Sequence, residues 1–459
     1  MLLLVACTPS AVQGPVGPPF VPPDDTETPT GSPPTPTDTT TATGTAADFL
    51  LEIGQPGTLV WASWTADGPI ADTSVVYSFE DGEWSSTPVR DVAAGDQRQV
   101  LLGIPASTTV YAYLTGFSNG VVWQSETLDI TTDDLPSDLV SPPTVFHDPN
   151  LASPERWMIG TIDVSSEGWW NGPFYFFVMD REGRYVWWRK FVDRRTNFPQ
   201  VGATGTYIAV DATALDIDDS ALHRMTLDGE SEEIVPLPGF VWSFTEGPDG
   251  TLFYDADHDL YGPVLMERAP DGTTRIVWEC ATAYGPACAT NTVKYDPARD
   301  AILWSMYDLG TVVEIDRASG TVLRQWGTRP GSWSFDPPDV AFLDQHWPNY
   351  TPDGTLLVST HLPDVPYEQR AFEFEVDDAT QTLRLVWSYG EGVDEYAFYS
   401  GDAHRVSNGN TLVNYGTGGA LREVTPDGEI AFLVDWNFTY VLGHNELVDD
   451  LYALLQLPE

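Results

Sequence analysis

Between residues 170 and 440 short apolar runs alternate with turn signals. Phe174-Tyr175-Phe176-Phe177-Val178-Met179-Asp180, a Glu182-Gly183 turn and Arg184-Tyr185-Val186-Trp187-Trp188 read as a first hairpin. Further copies begin at Asp249-Gly250-Thr251-Leu252, at Asp353-Gly354-Thr355-Leu356 and at Asn408-Gly409-Asn410-Thr411, with a degenerate one at Asp300-Ala301-Ile302-Leu303. Second turns follow at Asp271-Gly272, Ser319-Gly320 and Asp427-Gly428, and Trp278, Trp326 and Trp436 close those units. The unit recurs roughly every fifty residues, a period suited to blades of four strands. Counting hairpin pairs gives a six-bladed β-propeller over 150–459, its second blade, from Thr206-Tyr207-Ile208 to Asp228-Gly229, the least regular. No segment carries helical periodicity, so the class is all-β.

Ahead of the repeats, residues 47–135 alternate apolar and polar positions in short runs such as Val75-Val76-Tyr77-Ser78-Phe79 and Val110-Tyr111-Ala112-Tyr113-Leu114. That spacing predicts a small β-sandwich. Leu102-Gly103-Ile104-Pro105 followed by Thr109-Val110-Tyr111 resembles the late strands of fibronectin type III modules. Residues 8–46 form a Pro/Thr/Gly tract without lysine or arginine, expected to be a disordered tether. Residues 1–7 end in Leu4-Val5-Ala6-Cys7, which looks like the remnant of a lipoprotein signal with Cys7 as the acylated residue. The expectation is attachment to the bacterial cell envelope by a lipid anchor alone. With Thr8 after the cysteine, the outer membrane is the expected destination.

Charge narrows the partners. In 459 residues, 21 Lys+Arg stand against 68 Asp+Glu, a net charge of -47. Such a surface repels phosphate backbones, so nucleic-acid binding is not expected. Cys280 and Cys288 flank a short loop with a Gly285-Pro286 turn, and in an oxidising compartment they should form a disulfide. No oligomeric state follows from the sequence.

A propeller gathers the first residues of its innermost strands around one mouth, so chemistry is expected at Val241-Trp242-Ser243, Ala289-Thr290-Asn291, Asp344-Gln345-His346-Trp347 and Gly401-Asp402-Ala403-His404. A neutral imidazole beside amide donors and aromatic walls suits nucleophilic attack on an aryl ester. Trp242, Trp304 and Trp347 are candidates to stack on an aryl ligand. Asp255-Ala256-Asp257-His258-Asp259 and Asp216-Ile217-Asp218-Asp219 are acidic but lack calcium-loop spacing and read as solvated turns. No metal site, phosphate loop or cofactor motif is read from the chain.

Several of these segments resemble one family. The fibronectin-like front, Asp180-Arg181-Glu182-Gly183 with Val186-Trp187-Trp188, Asn291-Thr292-Val293, Gln345-His346 and Arg405-Val406-Ser407-Asn408-Gly409 look like the bacterial arylsulfotransferases over about residues 47–450. The resemblance implies a six-bladed propeller moving a sulfuryl group between phenolic donor and acceptor through a histidine nucleophile, without a nucleotide donor or cofactor. His346 matches the nucleophile and Asn291 the asparagine of the family's His-x-Asn element. The histidine of that element falls on Ala289, another near Trp242 or Ser243, and the supporting arginine near Met306 beside Tyr307. Those departures remove donors the sulfuryl oxygens need, and His404, Lys294 and Arg405 are the candidates to replace them. His404 could also act as acid or base, and Tyr307 and Arg405 join the candidate substrate contacts. The rival expectation is a catalytically inactive propeller binding a small aromatic ligand or a surface partner.

Overall fold

The computed structural model describes residues 42–458, save 80–81, 83, 140, 165–171, 286–287, 363–364, 394 and 437–440. The expectations for Cys7 and for residues 8–41 lie outside the described residues. From Ala42 to Glu459 the chain is one compact unit. Ala42 is already tied into it, its carbonyl accepting from the Asn119 N–H at 2.8 Å.

The class is all-β, as expected. Two sheets near the N-terminus share one core. The strand Val60–Ala66 lies between Ala46–Ile53 and Gly95–Leu101, and Ile70–Phe79 pairs with Thr109–Ser118. Alternate residues of both sheets, among them Val60, Ala62 and Trp64 on one and Val75, Val110 and Leu114 on the other, are buried together. This is the burial that period-two patterning dictates. Leu59, Val100 and Leu102 continue into a second core with Ile159, Phe176 and Val178. The front sheets are thereby fused to the sheet that holds Trp157–Asp163 and Phe174–Asp180. Gly103 sits at that junction with φ +76°, and a Cβ there would lie 2.4 Å from the Trp157 ring.

Beyond residue 140 the described residues form a series of antiparallel sheets of four principal strands. The third is Phe240–Glu246, Leu252–His258, Gly262–Arg268 and Thr274–Glu279, and the fourth Thr292–Asp296, Ala301–Met306, Thr311–Asp316 and Val322–Gly327. The fifth contains Leu343–Tyr350, Leu356–Leu362, Val365–Asp377 and Thr382–Tyr389, with Ser334–Asp336 added in parallel. The sixth contains Asp402–Arg405, Thr411–Asn414, Ala420–Val424 and Ile430–Asp435, with Thr144–His147 along its far edge. Turn glycines such as Gly250 (φ +77°) and Gly354 (φ +81°) hold the left-handed conformation that Asp-Gly hairpins require. Trp326 and Trp436 are fully buried in the cores of their sheets.

Two arrangements were not foreseen. In the second sheet the first strand is broken into Arg194–Arg195 and Gln200–Val201, both paired with Ile208–Ala214. In the first, the order is Tyr185–Phe191, Phe174–Asp180, Trp157–Asp163 and then Val441–Val448, so the last strand of the chain completes the first sheet. Cys280 and Cys288 are disulfide-bonded as expected. Their loop contains a five-residue helix, Cys280–Tyr284, where no helix was expected. Closing the chain on itself over so short a loop leaves only a turn's worth of conformations, and one helical turn fills it.

Candidate functional site

The strand starts of five sheets converge on one cavity of about 460 Å³. Its walls include Asn197 and Phe198 of the second sheet, Trp242 of the third, Asn291 of the fourth, His346 of the fifth and Asp402 of the sixth. Each is held by a local device. A buried carboxylate on the neighbouring strand fixes two of them: Asp211 accepts from the backbone N–H of Asn197 and Phe198 at 2.8 and 2.7 Å, and Asp255 from those of Trp242 and Ser243 at 3.0 and 2.7 Å. Burial pushes the Asp211 carboxyl up to about 6, against the opposing pull of those N–H groups. Arg195 stacks on Trp242, its guanidinium 4.2 Å from the ring centre.

His346 stands on a distorted strand. Asp344 and Trp347 have positive φ (+45° and +51°), and the pairing of Leu343–Tyr350 with Leu356–Leu362 shifts register on both sides of His346. Left-handed conformations at non-glycine residues cost of order 1 kcal/mol each and persist only where surroundings impose them. Here Gln345, fully buried, anchors the segment: its Nε2 donates to Ser305 Oγ and to the Thr311 carbonyl, both at 3.1 Å. Its own carbonyl accepts from Asn291 Nδ2 at 2.8 Å and from Ser305 Oγ at 3.2 Å. Asn291 is therefore a neighbour of His346 through the backbone. One amide N–H is engaged, and the buried Oδ1 has no hydrogen-bond partner among the described residues.

The His346 Nδ1 lies 3.0 Å from the carbonyl oxygen of Asp344. A carbonyl only accepts, so Nδ1 carries the proton and Nε2 the lone pair. Burial, reinforced by the nearby His361 ring, lowers its pKa to about 4, so the ring is neutral at physiological pH. Tyr307 stacks loosely over it, ring centres 6.4 Å apart, and His361 lies edge-on at 6.5 Å. Phe398 and Tyr399, half-exposed, form the outer rim.

The floor is a polar and aromatic stack. Trp347 is sandwiched with Phe198 (5.5 Å between centres, 4° between planes) and His444 (3.8 Å, 22°), with Lys294 Nζ 4.2 Å from its ring centre. Asp402 reaches His404 Nδ1 at 3.1 Å and His444 Nδ1 at 3.0 Å, and His444 Nε2 reaches Glu446 at 3.3 Å. Burial alone would raise the Asp402 carboxyl, but attraction to His444 and hydrogen bonds from both histidines hold it well below the usual carboxylate range. Below lies a second cavity of about 290 Å³, lined by Lys294, Tyr350, His404, His444 and Glu446 among others. No Gly443 side chain could be accommodated: a Cβ would sit 2.1 Å from Thr161 Oγ1 and 2.2 Å from the Asn197 carbonyl, which also accepts from the His444 N–H.

Of the residues singled out from sequence, Trp242, Asn291, Tyr307, His346 and Trp347 meet in the upper cavity. Trp347 is 2 % exposed and serves as its floor. His404 lies beneath that floor. Trp304 is fully buried in the core between the third and fourth sheets, with Phe253, Val293 and Val313, and does not line either cavity. Arg405 is directed away, paired with Glu373 and stacked 4.7 Å from Trp387. Asp216 caps a short 3-10 turn, accepting from the Asp218 N–H, and Asp255 accepts from the Trp242 and Ser243 N–H groups. Asn197, Phe198, His361, Phe398, Tyr399 and His444 were not anticipated. His444 follows from the closing strand, which the internal repeat does not mark.

An all-β scaffold whose strand starts meet in an aromatic-walled cavity defines a small-molecule site. Residues 289–436 match the model of the family described as Arylsulfotransferase (ASST). No curated protein matches the sequence. Among solved structures, it is similar to TolB from Acinetobacter baumannii at 10% identity, covering 75% of this chain and 80% of that one with a TM-score of 0.43. It is also similar to virginiamycin B lyase from Staphylococcus aureus at 12% identity, covering 52% and 70% with a TM-score of 0.36.

Proposed function

We propose that the protein is an enzyme of arylsulfotransferase type, passing a sulfuryl group from a phenolic sulfate to a phenol through His346. The observation that carries this reading is the neutral His346 imidazole in an aromatic-walled cavity, its tautomer fixed by the Asp344 carbonyl. Nε2 attacks sulfur, the N–S bond forms as the S–O bond to the aryl group breaks, and the departing phenolate takes up a proton. A second phenol then loses its proton, attacks the same sulfur and releases Nε2. Asn291 positions the nucleophile through the Gln345 carbonyl, and its second N–H is available to a sulfuryl oxygen. Phe198, Trp242, Phe398 and Tyr399 supply the walls for the aryl rings.

In the same reading the four-stranded sheets are the blades of a six-bladed propeller, closed by Val441–Val448, and residues 47–135 a fibronectin type III-like module. Cys7 is the acylated residue and 8–41 the tether, shorter than the 8–46 expected because residues 42–46 are tied into the folded unit, holding that unit at the bacterial cell envelope with the outer membrane as its destination. The family match over residues 289–436 and the closing strand support this arrangement of the propeller.

The test is to supply the protein with an aryl sulfate and a phenol acceptor, following phenol release and acceptor sulfation together. Intact-mass analysis should reveal one sulfuryl group per chain in the absence of acceptor. The alternative, a propeller that only binds an aromatic ligand, is favoured by one observation: no Lys or Arg lines the upper cavity among the described residues. Binding of aryl sulfates with neither turnover nor adduct would decide for it.

Two further outcomes are expected. With its pKa near 4, His346 loses its lone pair only in acid. The acid limb of kcat/KM should therefore fall near pH 4 rather than near the ordinary histidine value of about 6.5. A limb centred near 6.5 would place the reactive imidazole elsewhere. Phe398→Ala removes an exposed aromatic wall and should raise KM for aryl substrates about two- to tenfold with kcat little changed. Equal loss in kcat would show that the rim takes part in the chemical step.

A further inference from the structure

We infer that Asp402, His404 and His444 form a divalent transition-metal site in the floor of the cavity. One ligand atom from each of the three residues lies within 4.8 Å of the others. Asp402 and His404 sit two apart on one strand, and so on one face of it. His444 comes from the closing strand. Asp402 and His444 are 2 % and 3 % exposed, so this is no solvated acidic turn.

The hydrogen bonding around the cluster accommodates a cation. Asn414 Nδ2 donates to Asp402 Oδ2 at 3.2 Å, orienting the carboxylate. Glu446 faces His444 Nε2 at 3.3 Å and would accept a proton held there whenever Nδ1 gives its lone pair to an ion. Without an ion that Nδ1 donates a proton to Asp402; a metal ion would take the place of the proton between the same two atoms. His404 Nδ1 lies 3.1 Å from Asp402 Oδ1 and His444 Nδ1 3.0 Å from Asp402 Oδ2, so each imidazole adjoins one oxygen of the shared carboxylate. Ligand atoms bound at about 2.1 Å on one tetrahedral ion are about 3.4 Å apart, a spacing reached by small side-chain shifts from the observed one.

Two imidazoles and a carboxylate suit zinc and its first-row neighbours rather than calcium, which takes oxygen ligands. Lys294 opposes a nearby ion, but Glu446 stands against it as a countercharge. Asp402 and His444 also line the upper cavity, so an ion they held would border the substrate space. An ion there would supply the cation that the upper walls lack, and could polarise a phenolic or sulfuryl oxygen. The binding claim is independent of sulfuryl transfer and is tested without any aryl substrate.

Full-length untagged protein, freed of metal with a chelator, is titrated with zinc by calorimetry and with cobalt by visible absorption. One equivalent per chain is expected, with a cobalt spectrum carrying nitrogen-ligand intensity and a raised melting temperature on zinc binding. Asp402→Asn and His404→Ala should weaken zinc at least tenfold and abolish the cobalt signal. Should either fail to fold, Glu446→Gln, which leaves all three ligands in place, should weaken binding roughly 10- to 100-fold. The proposal is overturned by absence of saturable one-equivalent binding, or by binding that all folded variants retain unchanged.

Discussion

Replacing His346 by alanine is expected to abolish sulfuryl transfer while leaving the fold intact. The side chain fills no core: its ring lines the cavity, and its one hydrogen bond is to the carbonyl two residues back. Its removal should shift the melting temperature by no more than a few degrees, as for substitutions outside packed cores. Activity is another matter. With no nitrogen lone pair to attack sulfur, turnover should fall by roughly 10³-fold or more, and the sulfuryl adduct seen on the intact protein should vanish. Asn291→Ala offers a contrast. It releases the Gln345 carbonyl and lets the bulged segment relax, so kcat should drop while the adduct still forms, more slowly. If His346→Ala turned over at the wild-type rate, another group would have to be the nucleophile and the proposed reaction would fail.

The largest effect on stability is expected at Glu423. Its carboxylate is fully buried and accepts from Arg181 Nη1 at 2.9 Å, Asn410 Nδ2 at 2.7 Å and the Ser153 N–H at 2.5 Å. Arg181, itself 5 % exposed, also donates to the Glu155 carbonyl at 2.8 Å and lies 4.6 Å from the Phe432 ring centre. Glu423→Ala leaves that guanidinium buried without its countercharge, a change that costs about 3–5 kcal/mol. Glu423→Gln retains shape and some hydrogen bonding and should cost less, about 1–3 kcal/mol. Denaturant unfolding followed by circular dichroism measures both. A loss below about 1 kcal/mol for the alanine variant would mean that water reaches Arg181 and that this ion pair does not bind the first and sixth sheets together.

The Arg181 result bears on what a sequence reveals. The Asp180-Arg181-Glu182-Gly183 segment stood out as part of a family resemblance, yet its arginine is architectural. Hairpin patterning was legible because Asp-Gly turns and alternating apolar runs act locally; Gly250, Gly354 and Trp326 do what their neighbours in sequence imply. The meeting of Trp242, Asn291, His346 and Trp347 was legible for the same reason, since each begins a strand at an equivalent place. What could not be read depends on contacts between distant segments. Trp304 resembles a ligand-stacking residue in sequence but points between sheets. Arg405 lies next to a cavity residue in sequence and turns outward to Glu373. His361 sits at the far end of a strand, outside the repeat position. Phe198 enters only because the second sheet's first strand is broken at Pro199, which has no N–H for the ladder, and the repeat pattern alone does not place that break.

The pairing of Val441–Val448 with Trp157–Asp163 also sets a timing rule. A nascent chain carries Asp402 and His404 well before His444 has been translated, so the floor beneath Trp347 stays open until the final strand is made. Proteolytic or premature loss of that C-terminal ribbon would therefore leave most sheets able to form yet remove His444, the proposed metal ligand and the stacking partner of the tryptophan. Function in this molecule is sealed last.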